Sequence, residues 1–437
     1  MGITPEMTLF PKIPYRLRVL ILLYFLILIT YLDRVTISIV GVRIKSAFHL
    51  SNTQFGLVLS AFVLAYSLFE IPSGVLGDRL GQRKVLLRIV IWWSLFTALT
   101  GCVFSLGSLI AVRFLFGMGE AGAYPNSCGV ISRWVPKSET SRGMSWLGMG
   151  GPSGLALAPL IVVPIASAYG WRAPFFVNGA IGLIWVLVCW RWFRNEPGEM
   201  KGISNDERIL IEQNRQYTRH PQAFPWKSIL RNRMILALFF SYFCIQWANY
   251  FIVGWMPNYL QEGKHFSEKE MGFTMSFVSV FGILAAFSFG IVSDWLMRIK
   301  GNVLSRKLIA TISFGVMALA IFISAYTSNK MVVTICFIAA EILLLFIVLT
   351  CFAACVDMGG NRVCTLTGAM NFVGQTGSFF MSMTFGRIVD FTHSYEAPQY
   401  LMGVLLLVAG CCWFGIDVSR KIFSEPEAVR VPLAVTS

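Results

Sequence analysis

Charge is what this sequence has least of. Asp, Glu, Lys and Arg make up 13% of its 437 residues, about half the share found in a soluble domain. Histidine is scarcer still: His49, His220, His265 and His393 all fall between apolar runs, and no His/Cys/carboxylate cluster stands at metal-ligand spacing. The ten cysteines are scattered through apolar runs, and the nearest pairs, Cys351/Cys355 and Cys411/Cys412, lack zinc or haem spacing. They read as small buried hydrophobes, and no metal or cofactor is expected. No Asn-x-Ser/Thr sequon occurs, so nothing points to a glycosylated surface. The glycine-rich run GMGGPSG (148–154) has no Lys-Ser/Thr after it, which excludes a phosphate-binding loop and leaves close helix packing with a kink. Short alternating strands are also missing, which excludes a closed membrane barrel.

What is present is apolar. Hydrophobic residues reach 56% and the mean hydropathy is +0.67. Runs of about 20 such residues recur along the chain, each able to cross ~30 Å of hydrocarbon as a helix. Hydropathy places twelve of them near 17–40, 53–75, 85–105, 109–132, 144–168, 174–193, 234–260, 271–293, 307–326, 331–356, 364–388 and 398–418. The first follows Lys12, Arg16 and Arg18 but is too long for a signal-peptide core and has no small-residue cleavage site, so it reads as a retained helix. The fold class is therefore an all-α polytopic membrane protein. It is expected to comprise a tail (1–16), a six-helix bundle (17–193), a central loop (194–233), a second six-helix bundle (234–418) and a tail (419–437).

The net charge of +14 is no sign of nucleic acid, because its placement follows the membrane. With the N-terminus in the cytoplasm, 27 of the 36 Lys and Arg fall on that side and six on the other. That asymmetry places both termini inside. Three arginines, Arg34, Arg113 and Arg387, remain within the apolar runs.

The two halves echo each other once. GVLGDRLGQRK after the second run contains Gly74, Asp78, Arg79, Gly81 and Arg83, and GIVSDWLMRIKG after the eighth contains Gly290 and Asp294. Both begin Gly-x-x-x-Asp and continue into basic residues. The small residue allows close helix approach, and the acid can meet a neighbouring helix N-terminus or arginine as a charge latch. Six-helix half-repeats are a transporter architecture. Twelve helices divided 6+6, with this motif between helices 2 and 3, resemble the major facilitator superfamily over about residues 15 to 420; the second copy of the motif lacks the arginine beside Asp294. Within it, Y-L-D-R in helix 1, R-F-L-F-G-M-G-E-A-G-A-Y-P-N in helix 4 and G-A-M-N-F-V-G-Q in helix 11 resemble the anion:cation symporter family. That family includes sugar-acid (galactonate, glucarate) transporters, sialin and the vesicular glutamate carriers.

The charges inside the apolar runs carry the functional reading. Asp33 lies 16 residues into the first run, ~24 Å along it, where an unpaired charge costs several kcal/mol. Arg34 follows it, about 100° round the helix, and both are expected to face a central cavity. Arg113 and Glu120 are seven residues apart on one face of helix 4. A structural ion-pair network is the plain alternative. Two buried arginines also suit an anionic substrate, gripped through paired hydrogen bonds. An anion competing for the arginines favours protonation of the carboxylates, so the two would bind cooperatively. The resemblance implies that Asp33 and Glu120 carry the proton while Arg34 and Arg113 hold the substrate.

Uncharged groups complete the expected cavity. Tyr66 reads either as a hydrogen-bonding phenol or as a packing aromatic. Gln246, Asn249 and Tyr250 cluster in helix 7, ahead of a possible hinge at Pro257, and suit sugar hydroxyls or interhelical bonds. Asn371 and Gln375 share a face of helix 11, and the resemblance makes Asn371 a substrate contact. Glu70 is a candidate member of the latch, Glu341 is left open between a third proton site and the partner of a cation, and Asp357 has no assigned role. The expected function is proton-coupled symport of a small organic anion, a sugar acid such as a hexonate or hexarate, by alternating access in a bacterial inner membrane. Sodium-coupled or uniport transport of an aromatic acid, dicarboxylate or phosphate is the alternative. A non-transporting receptor or membrane-embedded enzyme is a different class, and no nucleophile–base pair at membrane depth supports an enzyme. The expected partners are the anion, protons and the lipid bilayer, with no nucleic acid, and the protein is expected to be a monomer.

Overall fold

The computed structural model describes residues 13–136, 139–200, 202–214, 231–359 and 363–420. Its elements are helices: α1 (Tyr15–Ile39), α2 (Gly41–Phe48), α3 (Asn52–Leu80), α4 (Gln82–Thr100), α5 (Leu106–Glu120), α6 (Ala123–Trp134), α7 (Thr140–Tyr169), α8 (Ala173–Trp192) and α9 (Asn205–Asn214). They continue with α10 (Arg233–Tyr250), α11 (Glu268–Lys300), α12 (Asn302–Tyr326), α13 (Lys330–Gly359), α14 (Val363–Thr392) and α15 (Ala397–Cys412). Among the described residues ten helical spans are long and apolar enough to cross a membrane. Of the twelve expected, the other two correspond to α4, which opens with Arg83, Lys84 and Arg88, and α14, whose middle is rich in Gly, Ser and Thr.

Helix 4 differs from expectation. Over 109–132 the apolar run reads as one helix, but it breaks at Ala121 and Gly122 into α5 and α6. Small residues on either side allow the break: a Cβ on Gly119 would collide with Trp92, and one on Gly122 with Ile89 and Ser73. Beyond α10, the ladder widens into π-turns at Phe251–Trp255 and Tyr259–Gly263. Pro257, between them, has no N–H to give and crowds the carbonyl four residues back.

The chain forms two compact units, Met1–His49 with Ala61–Pro221, and Leu50–Ser60 with Gln222–Ser437. The start of α3 thus groups with the second unit. In the first unit α1 packs along α7, and α4 packs against α8 and α5. The second unit repeats those pairings: α10 with α14, and α12 with α15 and α13. Glycines set the closest approaches. Gly154 of α7 would place a Cβ 2.4 Å from the Leu28 carbonyl oxygen of α1, and Gly377 of α14 one 2.4 Å from that of Phe243 in α10. The GMGGPSG run is thus a packing face. Exposed stripes such as Leu183, Ile184, Leu187 and Val188 on α8 are apolar, as a lipid-facing surface requires.

In the central loop, Ser204 accepts the Glu207 backbone N–H at 3.2 Å, one half of a capping box. The Glu207 carboxylate accepts instead from the backbone N–H groups of Tyr15 and Arg16, at 3.2 and 3.0 Å, capping the start of α1.

Candidate functional site

Neighbouring residues on a helix point about 100° apart, and α1 uses this to separate its two charges. Asp33 is 1% exposed and turned inward; both its oxygens are enclosed without a hydrogen bond. The groups that act on it electrostatically are Glu120 and Arg113, with the Thr97 hydroxyl of α4 beside it. Arg34 turns towards α3 and α5. Its Nε donates to Glu120 Oε1, and its guanidinium lies 4.5 Å from the Tyr66 ring centre, 5.1 Å from Tyr31 and 5.3 Å from Phe62. Of the two expected cavity-facing residues, Arg34 keeps some exposure and Asp33 has almost none.

Glu120 is the last residue of α5 and is wholly buried. Its second oxygen, Oε2, makes no hydrogen bond. Arg113, two turns earlier, is 2% exposed and sits between Phe62 at 4.9 Å and Phe116 at 4.7 Å. The two arginines therefore stand on aromatic walls, where a guanidinium is held without full hydration. The structure brings Asp33, Arg34, Tyr66, Arg113 and Glu120 into one cluster in the first unit.

Two residues that the sequence reading did not place at this site join the cluster. Glu70 lies four residues after Tyr66 on α3, and its charge bears on both Arg34 and Tyr66; the i, i+4 spacing was available as a clue. Tyr31 is three residues before Arg34 and shares its face by the same rule.

The second unit holds the other candidates. Asn249 Nδ2 donates to Gln246 Oε1 at 3.2 Å, and the Tyr250 hydroxyl donates to the Leu59 carbonyl at 3.4 Å. Ser378 donates to the Gln246 backbone carbonyl at 3.3 Å, and Gly374 leaves room for the Gln246 side chain. Asn371, one turn before Gly374 on α14, is half-buried.

Of the motif after α3, Gly81 adopts φ +88° at the start of α4, and the Asp78 side chain lies outside the described residues. Arg83 donates through its backbone N–H to Asn195 at 2.8 Å and through its side chain to the Trp190 carbonyl at 2.5 Å. Gly74 faces Pro125, and Arg79 is exposed. At the corresponding place in the second unit Asp294 is exposed, and its neighbour Ser293 accepts from Arg306 at 3.0 Å. Arg306 also pairs with Asp357 at 3.3 Å, which gives that acid a structural role. Among the described residues no group of three His, Cys, Asp or Glu could hold a metal ion.

The model of the Major Facilitator Superfamily matches residues 23–382. The probable sulfoacetate transporter SauU of Cupriavidus necator is 30% identical over 420 residues, covering 94% of this chain and 93% of that protein. The probable L-galactonate transporter of Escherichia coli is 28% identical, with 93% and 90% covered. Among solved structures, a bacterial homologue of the human lysosomal transporter Spinster, inward-facing and occupied, superposes with a TM-score of 0.76 at 18% identity, over 92% of this chain and 97% of that one.

Proposed function

This chain belongs to the Major Facilitator Superfamily and is a multi-pass membrane transporter of organic anions, and from that premise we propose that it imports a sugar acid together with protons across a bacterial inner membrane. The observation that carries this reading is the charge set of the first unit. Asp33, Arg34, Arg113 and Glu120 are gathered within the bundle and sum to zero. An entering carboxylate makes the set negative, and one proton on Asp33 or Glu120 restores neutrality. Burial makes that restoration worth several kcal/mol, so anion and proton bind together.

Arg34 and Arg113 grip the carboxylate through their forked donors, with Tyr66 beside them, and Glu120 is the proton carrier that lets go of Arg34 as the anion takes hold. The amides of Gln246, Asn249 and Asn371 and the phenol of Tyr250 are assigned the sugar hydroxyls. The loop residues Gly74, Asp78, Arg79, Gly81, Arg83 and Asp294 are assigned to gating. Protons are favoured over sodium because a hard cation wants several oxygens, whereas the acids here look onto guanidinium groups. Names of relatives point to hydroxylated carboxylates and a sulfonate, all anions that a guanidinium fork fits.

The test uses the full-length protein in liposomes loaded with a pH-sensitive dye. Galactonate, glucarate or sulfoacetate outside should acidify the lumen, and galactose should not. Accumulation of labelled galactonate under a sodium gradient, without acidification, would sink the proton assignment.

A further inference from the structure

Glu341 lies 11 residues along the 30-residue α13, ~16 Å from its start, and is 5% exposed. Its side chain folds against α11 at Gly282, where a Cβ would stand 2.9 Å from Oε1 and 3.1 Å from Cγ. Any larger residue at 282 would fill the notch that holds the carboxyl. Among the described residues no donor or cation reaches it. Glu120, wholly buried, has Arg34; Glu341 has no such partner among the described residues.

Charged groups on the helices packed against α13 lie towards helix ends: Arg233 on α10, Glu268 to Glu270 and Asp294 to Lys300 on α11, Arg306 and Lys307 on α12, Arg387 and Asp390 on α14. On α13 itself Lys330 is held by Glu270 and Asp357 by Arg306, and its cysteines are Cys336, Cys351 and Cys355. On α10 Cys244 is buried, Tyr242 meets the edge of Phe352, and Tyr250 is directed to the Leu59 carbonyl. The nearby Tyr259 hydroxyl donates to the Ser324 carbonyl.

A carboxylate without counter-charge at this depth is stable only when something neutralises it. A metal cation would want about six oxygens, and Glu341 brings two. A proton needs no further ligand. We propose that Glu341, seated in the Gly282 notch, is a second proton-binding site of the carrier, apart from the Arg34–Glu120 centre. This rests on the proton-coupled reading above and deepens it. Loading and release of this proton in each cycle raise by one the number of protons moved per anion.

The test is the limiting accumulation of labelled galactonate in proteoliposomes at zero membrane potential and a one-unit pH difference. Each coupled proton multiplies that ratio about tenfold, so E341Q should lower it about tenfold while E341D keeps it, with equal galactonate counterflow showing that all three proteins are folded. An unchanged ratio in E341Q overturns the proposal. Wild-type protein that shows no pH-driven accumulation overturns the proton-coupled reading instead. Glu341 is then decided by dicyclohexylcarbodiimide, which adds to a carboxyl only in its protonated form. The same measurement decides it if E341Q fails to fold. Modification of Glu341 in the wild-type protein that fades as pH rises supports the site, and no modification at any pH overturns it.

Discussion

Asp390 accepts the backbone N–H of Thr53 at 2.7 Å, and with it the backbone and side-chain N–H groups of Asn52 at 3.1 and 3.0 Å. An acid at the end of α14 thereby caps the first turn of α3, more than three hundred residues away in sequence. Tyr395 adds to the clasp, its hydroxyl bridging Asn52 and Glu262. These contacts account for Leu50–Ser60 grouping with the second unit although the rest of α3 belongs to the first.

Asp390→Ala is expected to remove this cap at a cost of about 1 kcal/mol, or a few degrees of Tm. The pH dependence has a definite sign. Burial raises the Asp390 carboxyl, but the hydrogen bonds from Thr53 and Asn52 outweigh it and hold the group below its ordinary 3.8. Its stabilisation is therefore present above pH 3.8 and lost as pH falls further, through the folded-state value. Thermal unfolding in detergent between pH 3 and 7, wild type against variant, checks this. Curves that stay equally far apart below pH 3.8 would remove Asp390 from the account.

Much of this fold is written locally and some of it is not. The apolar runs and the seven-residue interval between Arg113 and Glu120 are properties of short stretches, and both read correctly onto helices and one face. The Asp33–Arg34 pair is different. Its 100° offset says that the two side chains diverge, but which one meets protein depends on where α4 and α5 stand. The break after Glu120 hides in a run that stays apolar on both sides. The Asp390 clasp and the use of Glu207 to cap α1 join distant segments, and no periodicity reports such pairs.

Gly117 of α5 would set a Cβ 2.4 Å from the Phe62 carbonyl oxygen. That atom is backbone and cannot swing away. Gly117→Ala should push α5 off α3, costing about 1–3 kcal/mol as an overpacked contact, and should separate Arg113 from the Phe62 ring. A lowered Tm together with weaker galactonate binding is expected. Unchanged stability would mean that α3 and α5 have slack there.

Arg34→Lys keeps the charge and discards the fork. The guanidinium stands over Tyr66, Tyr31 and Phe62 while bonding Glu120, and an ammonium cannot reproduce both contacts in one geometry. Loss of one charge-assisted hydrogen bond, about 2 kcal/mol, predicts roughly 30-fold weaker galactonate binding. Isothermal titration of the purified variant measures it. Binding as tight as wild type would show that charge alone suffices at position 34.

Glu120→Gln separates the two halves of the proposed coupling. The amide preserves the shape and can still accept from Arg34 through its oxygen, but it cannot gain or lose a proton. Removing the carboxylate leaves Asp33, Arg34 and Arg113 with one net positive charge, so an anion should bind at least as well as before. Uptake driven by a pH gradient should vanish, because the step that returns the empty carrier requires the proton to leave. Exchange of labelled for unlabelled galactonate needs no such return and should persist. Arg113→Ala is expected to do the reverse and lose binding together with exchange. Both rates are read in the same proteoliposomes, so the ratio of exchange to net uptake corrects for the amount of folded protein. If Glu120→Gln loses exchange in proportion to uptake, Glu120 serves to position Arg34, and the proton must be carried by Asp33.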